Sequence, residues 1–358
     1  MIALSLYKNK KFRLINKSLS KKVLPKKCRL QILYSGICAS DIPRAFDSMA
    51  YKYPLVMGHE FVAKVIDTGS KVNKFEKGDI VSAFPLIPCS IKNPKKSCEH
   101  CDNQNFNLCS DYDYYGSRSD GSFCEVLDVN EWNLFKIKSK KRIFINSLIE
   151  PSAVSFNIFE KIKKKIQNKS KILILGAGYI GQIALRVINN FNKKTNIFIL
   201  DRNRFKLTLA NNFSTSQILF SKNNSNQNEI KKMNSKFDIV IETTGKDTNF
   251  LNSLEFVKKG GYVIFSGNIN QGFKISKSQI SNILRKEVTI KGIWNSSYKS
   301  RKDNWVQAEK FIAKKNDLER LISHKVNLSD AAQLMRDIYQ MKEGKLKNNY
   351  LKGIIKSY

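Results

Sequence analysis

An uncharged apolar run, Ile172–Leu175, leads straight into Gly176-Ala177-Gly178-Tyr179-Ile180-Gly181, and apolar positions at helical spacing follow from Ile180 to Ile188. A strand, a glycine turn and a helix in that order point to a dinucleotide-binding βαβ unit. The first glycine permits the tight turn, the second lets backbone approach a pyrophosphate, and the third lets the helix pack close to the strand. The helix N-terminus then offers free amides and a positive dipole end to phosphates. Asp201 lies twenty positions after Gly181, at the end of the next strand, Ile197–Leu200. A carboxylate there accepts hydrogen bonds from the adenosine ribose and repels a 2′-phosphate. Arg202 and Arg204 follow it and would partly neutralise such a phosphate. The pattern predicts a cofactor site of Gly176, Ala177, Gly178, Tyr179, Ile180, Gly181, Asp201 and Arg202, with NAD favoured over NADP.

Further strands, Phe237–Ile241 and Tyr262–Phe265, alternate with helical segments, so an α/β domain with a doubly wound parallel sheet is expected over 151–291. A helix from Val154 to about Ile166 precedes it. Residues 1–150 read instead as short strands broken by glycines, among them Arg29–Tyr34, Phe61–Ile66 and Asp79–Ala83. The last segment, 292–358, has mixed character, with helices expected around Trp305–Lys314 and Ser329–Ile338, the second N-capped by Ser329. The polar stretch Ser221–Ser235 reads as an exposed loop or frayed helix.

The chain's 358 residues suit two domains, and 42% hydrophobic and 11% aromatic content is enough for sizeable cores. No apolar stretch of about 18 residues suggests a membrane span. The N-terminus, MIALSLYKNKKFRL, has apolar residues first and lysines after, the wrong order for a secretory signal. A formal charge of +33 raises the question of nucleic acid. The lysines are spread along the whole chain, asparagine and isoleucine are abundant as well, and no basic arm stands out. A biased composition is the better reading, and nucleic acid is not an expected partner. Seven cysteines, an odd number with four in one short region, favour metal binding and a reducing cytoplasm over disulfides.

Cys89, Cys98, Cys101 and Cys109 form C-x8-C-x2-C-x7-C. Four thiolates fill one tetrahedral zinc sphere, a closed structural site that ties down a lobe without its own core. His100 is an alternative fourth ligand, and Cys28 and Cys124 read as packing residues. A second set is spread over Cys38-Ala39-Ser40-Asp41, Gly58-His59-Glu60 and Glu150-Pro151. Cysteine, histidine and carboxylate suit zinc with an open position. Cys38 and His59 would be ligands, Glu60 or Glu150 would complete the sphere, and Asp41 would orient His59.

GICASDIPRAF, YPLVMGHEF, the cysteine lobe, YDYYGSRSDGSFCEV, IEPSAVSFNIF, LGAGYIG and ILRKEVTIKGIW together resemble the zinc-dependent medium-chain dehydrogenases, in order and over nearly the whole chain. SDIPRAF, YDYYGSR and ILRKEVTIKG are similar to the galactitol-1-phosphate 5-dehydrogenase branch, with sorbitol dehydrogenases next. The resemblance implies a GroES-like β-rich catalytic domain built from both ends of the chain, with the Rossmann domain inserted and a cleft between them. It also implies a homodimer or homotetramer. Carried over by it are Cys38, His59, Glu60 and Glu150 as catalytic-zinc residues and the four lobe cysteines as structural-zinc ligands, two zincs per chain. Two departures stand out: the first lobe spacing is longer than usual, and Pro43 stands where many alcohol dehydrogenases place a proton-relay histidine.

The expected reaction is hydride transfer between NAD(H) and a secondary alcohol or ketone, with Ser40 carrying the substrate proton towards solvent and Asp41 and Glu150 supporting the site. A polyol phosphate is the expected substrate. Arg44, Arg118 and Lys52 are candidate phosphate contacts, and Tyr51 and Trp294 either wall the pocket or pack. An unphosphorylated polyol or amino-alcohol dehydrogenase is the nearest alternative. A catalytically dead, basic, zinc-stabilised nucleic-acid-binding or regulatory protein is the alternative of another class.

Overall fold

The computed structural model describes residues 1–139, 141–219, 232–269, 272–299 and 303–357. They divide into two compact units, one of Met1–Ala153 with Ser296–Tyr358, the other Val154–Asn295.

The first unit is organised by the strand Lys27–Ile37, whose alternating Leu30 and Ile32 are fully buried. It pairs antiparallel with Glu60–Thr68 on one side and with Gly353–Lys356 on the other, while Val126–Asn130 pairs with its first half. His324–Asn327, Ile80–Ala83 and Leu134–Lys136 complete a seven-stranded sheet among the described residues. Two strands of the segment Ser296–Tyr358 thus pair within the first unit. Part of the reason is aromatic. Tyr298 stacks on Phe84 at 4.9 Å and donates its hydroxyl to the Leu134 carbonyl at 2.6 Å, and the Trp305 ring meets both aromatic rings edge-on. Burying aromatics of this size strongly favours that arrangement.

The second unit holds a six-stranded sheet, all of its pairings parallel. In chain order its strands are Lys171–Leu175, Asn196–Asp201, Ser216–Leu219, Phe237–Glu242, Val257–Phe265 and Thr289–Gly292. Laid side by side, the third strand stands at one edge and the first at the centre, so the order reverses at Lys171–Leu175. That reversal is the topological switch point at which dinucleotides bind in such sheets. Ile172, Leu173, Ile174 and Leu175 are fully buried, as a central parallel strand covered on both faces requires.

Two sequence expectations shift. The helix expected from Val154 begins at Ile149 and runs to Ile162. Pro151 does not stop it, because a first-turn residue needs no amide for the helix ladder. Ser329 is not an N-cap: it lies in the 3-10 turn Leu328–Asp330, and the helix Ala331–Lys342 is preceded by Asp330, which makes no capping bond. Residues 221–231 of the polar stretch lie outside the described residues. Among the described residues, no helix is long and apolar enough to cross a membrane.

Candidate active site and cofactor loop

Strand register explains why distant residues meet. Cys38 follows the last residue of the central strand, Glu60 opens the strand paired opposite Gly36, and Lys352 immediately precedes Gly353, which pairs with Ile37. Three neighbouring strands thus deliver Cys38, His59-Glu60 and Lys352 to one end of the sheet. A Cβ on residue 36 would lie 2.3 Å from Glu60 Oε2, so glycine there makes room for the carboxylate. Gly58 has φ +94, and a Cβ on it would strike the Phe123 ring at 2.4 Å. Only glycine turns the chain there while presenting His59 to the interior.

Donor atoms of Cys38, His59 and Glu60 all lie within 4.8 Å of one another. His59 and Glu60 are buried, and His59 Nδ1 and Glu60 Oε1 have no hydrogen-bond partner. Glu60 Oε2 is ion-paired with Lys352, whose amine also donates to the Ile37 carbonyl at 3.0 Å. Glu150 is buried in the first turn of the helix Ile149–Ile162 and does not join the tight set of three. It is nevertheless felt there. Burial pushes its carboxyl up to about 8, with Glu60 and Cys38 adding to the rise and His59 opposing it. Burial likewise raises the Cys38 thiol to about 11, helped by Glu60 and Asp41. Acidic groups crowded in a dry site resist ionisation until a cation neutralises them. A sulfur, a nitrogen and an oxygen donor brought this close together, the last two on buried residues with unpartnered atoms, fit zinc.

Asp41 is fully buried and organises the loop. Its Oδ2 accepts from the Cys38 amide at 2.9 Å and its Oδ1 from Arg44 at 3.0 Å. His59 Nδ1 stands 3.7 Å from Asp41 Oδ1, beyond hydrogen-bond length, because Arg44 and the Cys38 amide hold the carboxylate. Arg44, expected as a phosphate contact, ion-pairs with Asp41 through Nη1. Ser40 is half-buried and donates its hydroxyl to Cys38 Sγ at 3.3 Å. Sequence reasoning missed Lys352 and Tyr114. The Tyr114 ring meets the His59 imidazole edge-on at 5.6 Å, and burial, with Glu150 and Cys38 adding, raises its hydroxyl well above the usual range.

In the lobe, the four cysteine sulfurs lie within 4.8 Å of one another, with Cys89 to Cys101 at 3.6 Å and Cys98 to Cys109 at 3.9 Å. Zinc–sulfur bonds in a tetrahedron place sulfurs about 3.8 Å apart. His100 is exposed and outside the set, and the long first spacing is taken up by exposed residues 92–97, leaving Cys89 in place. The Ser110 amide lowers the Cys98 thiol to about 5, whereas burial raises Cys109 to about 12. Cys28 and Cys124 are buried elsewhere, and burial raises both thiols to about 12.

The glycine loop sits at the end of Lys171–Leu175. Gly176 has φ +105, and a Cβ on Gly181 would lie 2.0 Å from the Gly176 carbonyl oxygen, while one on Gly178 would meet no protein atom. The helix Tyr179–Phe191 has Gly178 at its N-cap and no side-chain cap, so its amides and the open space over Gly178 fit a phosphate. Ala177 and Ile180 complete the turn, with the Ile180 carbonyl accepting from Ser155 at 3.1 Å. Asp201 accepts from the Ala177 amide through Oδ2 and from the Asn203 amide through Oδ1, both at 2.8 Å. Arg202 and Arg204 are exposed beside it.

Known proteins are similar to this chain over most of its length. Residues 25–139 match the family model of the alcohol dehydrogenase GroES-like domain and residues 180–314 that of the zinc-binding dehydrogenases. The galactitol 1-phosphate 5-dehydrogenase of Escherichia coli K12 is 31% identical over 318 residues, 87% of this chain and 88% of that protein. The L-threonine 3-dehydrogenase of Pseudoalteromonas translucida is 27% identical over 84% of this chain and 85% of that protein. The crystal structure of galactitol-1-phosphate dehydrogenase from Escherichia coli superposes with a TM-score of 0.86 at 26% identity, covering 99% of each chain. The chain belongs to the zinc-dependent medium-chain alcohol and polyol dehydrogenases.

Proposed function

We propose that this enzyme uses NAD to oxidise a secondary alcohol of a polyol phosphate, or reduces the matching ketone, with one zinc at Cys38, His59 and Glu60 or Glu150 and another in the cysteine lobe. The observation that carries the reading is the convergence of Cys38, His59 and Glu60 around unpartnered buried donor atoms. The name of the 31%-identical relative supports the phosphorylated substrate, and Asp201 at the end of its strand supports NAD.

When bound, the zinc and the nicotinamide supply Lewis acidity at the substrate oxygen and a hydride acceptor at its carbon. The protein supplies the rest. Cys38, His59 and a glutamate would hold the metal, and burial keeps bulk water from His59 and Glu60. Ser40 Oγ accepts the substrate's hydroxyl proton as its own O–H proton turns from Cys38 Sγ to water, which its half-buried position allows. Asp41 holds Cys38 and Ser40 in register through the Cys38 amide.

A panel of galactitol 1-phosphate, galactitol, sorbitol and L-threonine, each with NAD and NADP and followed by reduced-nicotinamide absorbance, tests this. The highest kcat/KM is expected for the phosphorylated polyol with NAD. Equal or better turnover of L-threonine would replace the substrate assignment.

A further inference from the structure

Of the three cations expected to contact phosphate, one is held in a posture that leaves it free to do so. Arg44 is bound to Asp41. Lys52 is exposed with no ring or carboxylate to orient it among the described residues. The Arg118 guanidinium, in contrast, lies over two tyrosine rings, 4.5 Å from the Tyr51 centroid and 4.8 Å from that of Tyr112. It makes no ion pair among the described residues, and nearby Asp111 accepts from the Lys92 amine through Oδ1 at 2.9 Å. Ring faces hold the guanidinium plane by cation–π attraction while leaving its in-plane N–H fork unused. That fork matches two phosphate oxygens at once.

The holder is connected to the candidate metal centre. The Tyr112 ring meets the Tyr114 ring edge-on at 6.4 Å, and the Tyr114 ring meets His59 at 5.6 Å. The Arg118 amide donates to the Tyr114 carbonyl at 3.0 Å, fixing the backbone from which the side chain springs. We infer that Arg118, clasped by Tyr51 and Tyr112, is the specificity-determining residue that binds the phosphate ester of the substrate while its alcohol carbon lies at the Cys38–His59 centre. The inference rests on the polyol-phosphate reading and assigns the residue that selects it.

The test uses the full-length, zinc-loaded enzyme and the variants Arg118→Gln and Tyr112→Leu. With NAD, Arg118→Gln is expected to raise KM for galactitol 1-phosphate about thirtyfold, leave its kcat within about threefold, and leave kinetics with galactitol unchanged. Tyr112→Leu, which removes one face of the clasp, should raise the same KM by a smaller factor. Inorganic phosphate, followed by phosphorus NMR line broadening with the glycine-loop site saturated by NADH, should bind the wild type more tightly than Arg118→Gln. Identical changes for both polyols, or phosphate binding untouched by the substitution, would overturn the assignment while leaving the dehydrogenase reading intact. A wild type that binds phosphate through Arg118 but oxidises no polyol phosphate would overturn the substrate reading and leave the anion site standing.

Discussion

Lys352 and Glu60 form an ion pair in which both side chains are almost fully withdrawn from water, 5% and 1% exposed. Lys352 immediately precedes the strand Gly353–Lys356, and Glu60 closes the Gly58-His59-Glu60 segment and opens the strand Glu60–Thr68. Removing the amine would strand a carboxylate in a dry site. Lys352→Met should lower unfolding free energy by about 3–5 kcal/mol in urea titration of zinc-free protein. Adding Glu60→Gln should recover much of that loss, because a neutral amide has no charge to compensate. A single Lys352→Met variant as stable as wild type would contradict the burial of this pair.

The cysteine lobe should lose its metal as pH falls. Cys109, raised to about 12, holds a proton in the zinc-free fold across the working range and must release it to bind metal. Cys98, lowered to about 5, is already a thiolate at neutral pH and releases none. Fewer than four protons should therefore be freed per lobe zinc near pH 7, and apparent affinity should rise with pH. Calorimetry of zinc binding in buffers of different ionisation enthalpy measures the number. Affinity that increased on acidification would be inconsistent with thiolate ligation.

Asp201 ties the glycine loop to the adjacent strand end through the Ala177 amide. Asp201→Ser should weaken NADH binding about tenfold and narrow or reverse the preference over NADPH, since the repelling carboxylate is gone and Arg202 remains. Fluorescence titration with both cofactors reads the ratio. A ratio unchanged by the substitution would remove Asp201 from cofactor selection.

Local patterns were legible in the sequence because their physics is local. The glycine turn sets two tightly packed glycines, Gly176 and Gly181, around an open one, Gly178, within six residues, and the lobe packs four thiols into a short span, so spacing alone exposed both. Asp201 was legible as the carboxylate ending the strand after the loop. Lys352 was not. Among 63 lysines and arginines nothing in LKGIIK marks it, and its role exists only because its strand pairs beside Ile37. Tyr114 was hidden for the same reason, lying in a two-residue strand that brings it to His59 only after folding. Ser329 misled because a 3-10 turn precedes the helix and moves its start beyond the best capping residue.

The central claim is that Cys38 and His59 hold a metal that the reaction requires. Zinc per chain, measured by elemental analysis of wild type and Cys38→Ser alongside NAD-linked oxidation of galactitol 1-phosphate, tests it most directly. The account predicts two zincs and turnover in the wild type, and one zinc with turnover abolished and NADH binding retained in the variant. A variant that kept both zincs and near-normal turnover would contradict it.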